Sequence, residues 1–275
     1  MINKLKDAIY GLAVGDALGL PVQFKYRDQY PLVESMIPDA FTKLPKGTFS
    51  DDTSMALAIC DSIRKNGKIN VNDIRHNFEE WLNNGKYTQT GLAIDIGSTC
   101  GNAIEDKMGY DDEWSQGNGS LMRTIPLAFV PGITDEEIRQ VSAITHAHQN
   151  CMDACVYYVR IAGDLLEGKS LKDSIRLHIP ENSVYQRIRQ IEKLSREEIK
   201  SSGYVVDTFE AAMWCLMTTS NYRDCLIKAV NLGDDTDTIG AVAGGLAGII
   251  YGIDKIPKEW IDNIYMHEII DECLF

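Results

Sequence analysis

The sequence predicts an all-α fold: a compact single-domain helical bundle over residues 1–275 whose chemistry-bearing groups gather at helix N-termini. Two observations carry this. Apolar residues recur at steps of three and four through most of the chain, the period of a buried helix face, and no stretch alternates apolar and polar residues as a half-buried strand does. A third observation favours one domain over two: no fixed-period repeat, low-complexity tract or charged linker divides the chain.

Ile2, Leu5, Ile9, Leu12 and Ala13 set a first helix that closes on Gly11-Leu12-Ala13-Val14-Gly15-Asp16-Ala17-Leu18-Gly19, where small residues allow another backbone to come close. A polar loop with Pro21, Pro31, Pro38 and Pro45 follows, too long for a mere connection and suited to a lid or binding loop. Directly after Ser50-Asp51-Asp52-Thr53, helical spacing resumes with Met55, Ala56, Ile59 and Ile63. Ile74, Phe78, Trp81 and Leu82 give the next helix, which ends at Gly85, and residues 91–98 open another.

Gly117-Asn118-Gly119-Ser120-Leu121-Met122-Arg123 then precedes an apolar stretch, 125–130, expected to be helical. Glycines ahead of a helix free backbone N–H groups for an oxyanion, and the helix dipole favours phosphate there; an ordinary glycine turn would look the same. Thr134-Asp135-Glu136-Glu137 reads as a capping box opening a helix that should run to His148. His146 and His148, two apart, would not share a face of it, so they do not form a chelating pair. Further helices are expected from Val156 to Leu165 and over 171–177, 184–194, 209–217 and 222–232. The most apolar one carries Ile239, Val242, Ala243, Leu246, Ile249 and Ile250, and Pro257-Lys258-Glu259-Trp260 starts the last short pieces.

Lys plus Arg total 27 against 40 Asp plus Glu, and the net charge of −13 opposes binding to a nucleic-acid backbone or an anionic membrane. Seven scattered cysteines form no CxxC pair, so neither a disulfide frame nor a zinc cluster is indicated and a cytoplasmic setting fits. No signal peptide is legible at the N-terminus. The longest apolar run, Ile239 to Ile253, falls short of the ~20 residues a bilayer span needs.

In Gly233-Asp234-Asp235-Thr236-Asp237-Thr238, three carboxylates fall within four residues at the start of the apolar helix. One or two acids there would cap the helix and complement its dipole. Three repel one another unless a cation lies among them, and hydroxyls beside carboxylates make a hard-metal ligand set; an over-acidic exposed cap is the plainer alternative. Ser50-Asp51-Asp52 repeats the composition far away in sequence, which suggests two halves of one site.

With these blocks in order along most of the chain, joined by Asp95-Ile96-Gly97 and Thr145-His146, the sequence resembles the ADP-ribosylglycohydrolase family. The resemblance implies a metal-dependent hydrolase that cleaves the glycosidic bond of an ADP-ribosylated protein side chain or small ADP-ribosyl conjugate, arginine first and serine or a small conjugate next, and releases ADP-ribose. It implies two Mg2+ or Mn2+ ions held by Ser50, Asp51 and Asp52 on one side and Asp235, Asp237 and Thr238 on the other. Asp52, Asp95 and Asp237 would be the catalytic carboxylates, acting through an oxocarbenium-like state. Gln23, Gly117, Asn118, Gly119, Ser120, Met122, Arg123 and His146 would bind the substrate. Two positions depart from the family pattern. Ser50 replaces a threonine and keeps the hydroxyl. Gln23 stands where a glutamate is usual and cannot act as a general base, so an activated water or Asp95 would take that role, or hydrolysis would be slow. The alternative is a catalytically weak or inactive ADP-ribose or nucleotide-binding protein. A prenyl-diphosphate enzyme with a DDxxD motif is disfavoured by Met55 at the fifth position, and an Asp-x-Asp phosphatase by helical rather than strand flanks.

Overall fold

A computed structural model describes residues 2–39 and 43–275; residues 40–42 of the long loop lie outside the described residues. The chain is all-helical. Its helices are α1 (Ile2–Gly19), α2 (Asp51–Asn66), α3 (Val71–Asn84), α4 (Ser98–Glu105), α5 (Asp135–Ser142), α6 (Gln149–Leu166), α7 (Leu171–His178), α8 (Val205–Met217), α9 (Tyr222–Val230), α10 (Thr236–Tyr251), α11 (Lys258–Asp262) and α12 (Glu268–Cys273). Among the described residues, extended pairing is confined to two isolated bridges, Tyr110 with His146 and Gly117 with Tyr204. No described helix is long and apolar enough to cross a membrane.

Local chemistry sets several boundaries. Ser50 caps α2 and Asn70 caps α3, while Gly67 and Gly85 end them in the left-handed conformation that glycine adopts without strain. Thr134 and Glu137 complete a capping box at α5.

The centre of the molecule is the antiparallel pair α1 and α10, buried along nearly its whole length. Gly11, Gly15 and Gly19 on α1 face Gly244, Gly240 and the first turn of α10. A Cβ on Gly15 would lie 2.0 Å from the Gly240 carbonyl oxygen, and one on Gly244 would lie 2.2 Å from that of Gly11. Only glycine permits this approach. Carbonyls left bare by the missing side chains are taken up from neighbouring helices, Tyr222 Oη donating to Gly11 O at 2.7 Å and Tyr158 Oη to Val242 O at 2.8 Å. The consequence is positional: the C-terminal half of α1, carrying Asp16, is fixed against the N-terminus of α10, carrying Asp237.

The segment after α1 is pinned to the approach to α10. Phe24 N donates to Asp234 O at 2.7 Å and Asp234 N to Lys25 O at 2.8 Å. The Arg27 guanidinium donates to the carbonyls of Leu232, Arg196 and Ile199, each at 2.6 Å. Gly233 has φ +80°, and a Cβ there would meet Arg27 N at 2.4 Å.

Three sequence expectations are corrected. The helix expected to reach His148 stops at Ser142, because Tyr110 and His146 pair as a short parallel bridge that draws the chain into extended form. Residues Ile125–Phe129, which contain Pro126, form a 3-10 turn, not an α-helix. The 184–194 stretch is 3-10 as well, over Gln186–Lys193, and is broken at Gln190.

Candidate metal centre and ligand cleft

Ser50, Asp51 and Asp52 occupy the N-terminus of α2, and Asp235, Asp237 and Thr238 that of α10. Asp16, Asp52 and Asp237 each offer a carboxylate oxygen within 4.8 Å of the other two, and all three are fully buried. Their hydrogen bonding differs. Asp16 Oδ1 accepts from Ser50 N at 2.8 Å, and its Oδ2 accepts from Ser50 N and Thr53 N at 3.0 Å and from Thr53 Oγ1 at 2.6 Å. Asp16 thus caps α2 from another helix, satisfying N–H groups that a helix start leaves without partners. Asp52 Oδ2 accepts from Ser50 Oγ at 3.0 Å and Thr238 Oγ1 at 3.4 Å, while its Oδ1 has no partner. Asp237 Oδ1 accepts from Thr238 N at 3.0 Å and Asp235 Oδ2 from Asn118 Nδ2 at 2.7 Å; Asp237 Oδ2 and Asp235 Oδ1 have none.

Burial raises the pKa of Asp51, Asp52 and Asp237 well above the carboxylate range, and neighbouring carboxylates add to the shift. Burial raises Asp235 too, against the bond from Asn118. Asp16 is pushed by burial to about 6, less far because of the Thr53 and Ser50 donors. Unpartnered buried carboxylate oxygens are costly. Three of them, on two helix starts and beside two hydroxyls, are a donor set that fits a hard divalent cation, and the residues present therefore fit a metal.

The centre adjoins a cleft of about 400 Å3, whose wall includes Asp51, Asp235 and Thr238. The wall also contains the expected Gln23, Asp95, Gly117, Asn118, Gly119, Met122 and His146. Ser50, Asp52 and Asp237 have no exposed surface and do not line it; they are tied to its wall through Thr238, which donates to Asp52 Oδ2 and follows Asp237 in the chain. Gln23 Nε2 donates to Asp95 Oδ2 at 2.7 Å, and Asp95 holds a left-handed backbone, φ +58°. A Cβ on Gly119 would sit 2.7 Å from Cys100 Sγ and 2.9 Å from His146 Cε1, so glycine keeps this part of the wall open.

Ser120 and Arg123, expected to bind ligand, are not on the wall; both are fully buried behind it. Ser120 Oγ accepts from Ser142 Oγ at 2.9 Å. Arg123 donates to Gly119 O at 2.9 Å and Thr145 Oγ1 at 2.7 Å and lies over the Phe78 ring. Its charge is spent holding the glycine loop from behind. Thr145 Oγ1 in turn lies 2.8 Å from His146 Nδ1. Burial, followed by the Arg123 charge, lowers the His146 pKa to about 3, so the imidazole is neutral.

Asp16 is the residue of this centre to which sequence reasoning gave no role. Its signal was a lone carboxylate inside a helix of glycines, alanines and aliphatics. The wall also includes Phe24 and the first residues of α4, Ser98 to Cys100, which carried no motif of their own; Gly97 beside them belongs to the Asp95-Ile96-Gly97 block.

The ADP-ribosylglycohydrolase family model matches residues 1–274. The ADP-ribosylarginine hydrolase Tri1 of Serratia proteamaculans is 32% identical, over 97% of this chain and 76% of that protein. The ADP-ribosyl-[dinitrogen reductase] glycohydrolase of Rhodospirillum rubrum is also 32% identical, over 96% of this chain and 91% of the relative. Among solved structures, an ADP-ribosylglycohydrolase-related protein complex superposes with a TM-score of 0.81 at 27% identity, covering 99% of this chain and 95% of that one.

Proposed function

From the premise that the chain belongs to the ADP-ribosylglycohydrolase family, we propose that it is a metal-dependent hydrolase that releases ADP-ribose from ADP-ribosylated arginine side chains. The observation that carries this is the set of three buried, unpartnered carboxylate oxygens on Asp52, Asp235 and Asp237, of which Asp235 lines a cleft and the other two lie behind its wall. Arginine is favoured over serine because relatives at 32% identity are named as ADP-ribosylarginine hydrolases. Ser50, Asp51, Asp52, Asp235, Asp237 and Thr238 would hold two Mg2+ or Mn2+ ions. Such ions, when bound, supply Lewis acidity and make water a nucleophile near neutral pH.

The chain's own residues do the rest. Asp16 holds the start of α2 in register with α10, and Asn118 orients Asp235. The first turn of α4 and the N–H groups of Gly117 and Gly119 are offered to the pyrophosphate, for which the wall has no cationic side chain; the Asn118 N–H is taken by Gly203 O at 3.0 Å. Because Arg123 donates into Thr145 Oγ1, the threonine hydrogen is left for His146 Nδ1, which places the imidazole proton on Nε2 as a donor toward the cleft. Hydrolysis forms a bond from water oxygen to the anomeric carbon, breaks the carbon–nitrogen bond and delivers a proton to the leaving guanidine. Asp95, held by Gln23, is the carboxylate placed to move that proton.

Purified protein given ADP-ribosyl-arginine with Mg2+ or Mn2+ should release ADP-ribose, and a chelator should stop it; absence of turnover with both metals overturns the proposal. A second reading, an ADP-ribose binder with weak turnover, is favoured by Gln23 alone. Gln23→Glu should raise kcat by about tenfold or more if a carboxylate base is missing. An unchanged kcat means that position 23 does not limit the rate.

A further inference from the structure

Phe24 is 71% exposed, lies on the wall of the cleft and follows Gln23 directly in the chain. Its backbone is left-handed, φ +59°, a conformation that a bulky L-residue enters only at an energetic cost. A backbone pair holds it there: Phe24 N donates to Asp234 O at 2.7 Å, and Asp234, itself at φ +63°, donates its N to Lys25 O at 2.8 Å. Glycine would make the same turn without strain, and the exposed ring buries little against the protein in return. An exposed aromatic residue alone is ordinary. One presented to a cleft by a strained backbone, fixed to the approach of α10, has the character of a ligand clamp.

Its neighbours indicate the ligand. Among the described residues of the wall, Phe24 is the one phenyl ring, and the amide of the adjacent Gln23 is bonded to Asp95 at 2.7 Å. Ile96, 40% exposed, adds hydrocarbon next to that carboxylate. An aromatic face near a carboxylate is complementary to guanidinium, a planar cation that stacks through its face and hydrogen-bonds through its edge.

We propose that Phe24 is the acceptor-positioning residue, its ring stacking on the guanidinium of the ADP-ribosylated arginine so that the carbon–nitrogen bond to be broken is held beside Asp95. A serine acceptor has no planar cation to stack, so the ring selects arginine. The inference rests on the reading of the cleft as an ADP-ribosyl-arginine hydrolase and adds the group that recognises the acceptor.

The test is steady-state kinetics with ADP-ribosyl-arginine and Mn2+ on the unaltered chain, Phe24→Leu, Phe24→Gly and Phe24→Tyr, with product inhibition by ADP-ribose and thermal unfolding measured beside it. Loss of the ring in Phe24→Leu and Phe24→Gly should raise KM about fivefold or more, while the inhibition constant for ADP-ribose stays within about twofold because free ADP-ribose carries no guanidinium. Phe24→Tyr, which puts a ring face back, should bring KM to within about twofold of the unaltered chain. Phe24→Gly should keep or raise Tm, since glycine relieves the left-handed φ. An unchanged KM in the Leu and Gly variants, an ADP-ribose constant that rises in parallel with KM, a KM in Phe24→Tyr as high as in Phe24→Leu, or a lowered Tm together with a raised KM in Phe24→Gly overturns the acceptor role and leaves the hydrolase reading standing. No turnover by the unaltered chain overturns both.

Discussion

Asp52 and Asp237 hold opposing contributions to function and stability. Each is fully buried with one oxygen lacking a partner, and burial together with neighbouring carboxylates disfavours its charged form. Without a cation such groups weaken the fold; with one they bind it. Asp237→Asn should therefore raise the metal-free stability by about 1 kcal/mol or more and reduce metal-dependent turnover by about 100-fold or more, read by chemical unfolding in chelator and by ADP-ribose release. A loss of both would mean that the carboxylate serves the fold instead. His146 gives the pH test at this scale. Its folded pKa of about 3 lies below the unfolded value, so the unfolded chain takes up the proton first. Its contribution is complete above the unfolded pKa of about 6.5 and is lost as pH falls from there toward 3. At pH 5 the loss is about 2 kcal/mol, and the unfolding free energies of the chain and of His146→Asn from urea titrations should converge by roughly that amount between pH 7 and 5. The acids of 234–237 were legible in the sequence because capping needs one or two carboxylates, not three. Asp16 was not, since one carboxylate in a small-residue helix does not announce what it caps. Nor was the burial of Arg123, because arginine is normally exposed and only the tertiary fold supplies Gly119, Thr145 and Phe78 around it.

At the scale of elements, the site depends on how closely two helices touch. Gly15 and Gly240 meet backbone to backbone, as do Gly11 and Gly244, and the same contact line continues to Gly19 against the first turn of α10. Any Cβ on this line separates the helices, and with them Asp16 and Asp237. Gly244→Ala should cost about 3 kcal/mol or more, above the usual range for overpacking because the obstacle is backbone, and should weaken Mn2+ binding at least about tenfold by calorimetry. A stability loss with unchanged Mn2+ affinity would show that the helix contact and the centre are independent. The helices α1, α2 and α10 were readable from period and caps, and the small residues of 11–19 forecast a close approach. The partner was not readable, because complementarity between residues more than two hundred positions apart leaves no local trace. The same limit explains the truncated α5: Thr145 and His146 follow a helical pattern locally, and their pairing with Tyr110 decides otherwise.

The whole molecule combines a net charge of −13 with a buried acidic centre, so cation binding should be felt throughout. We propose that residues 1–275 unfold as one cooperative unit, since the buried cluster draws on α1 through α12 and the centre joins α1, α2 and α10. A ligand that binds only the folded state stabilises it by RT ln(1 + [L]/Kd), about 2.7 kcal/mol at one hundred times Kd. For a chain of this size each kcal/mol moves Tm by roughly 2–4 °C, so saturating Mn2+ should raise Tm by about 5–10 °C. The shift should come in a single calorimetric transition with equal calorimetric and van't Hoff enthalpies. Ca2+, larger and less demanding of geometry, should give a smaller shift if the centre is shaped for the smaller ion. Two transitions, only one of them moving with Mn2+, would instead divide the chain into separate units and confine the centre to one. Asp237→Asn should remove the Mn2+ shift while keeping the single transition, which separates specific occupancy of the centre from general screening of the acidic surface.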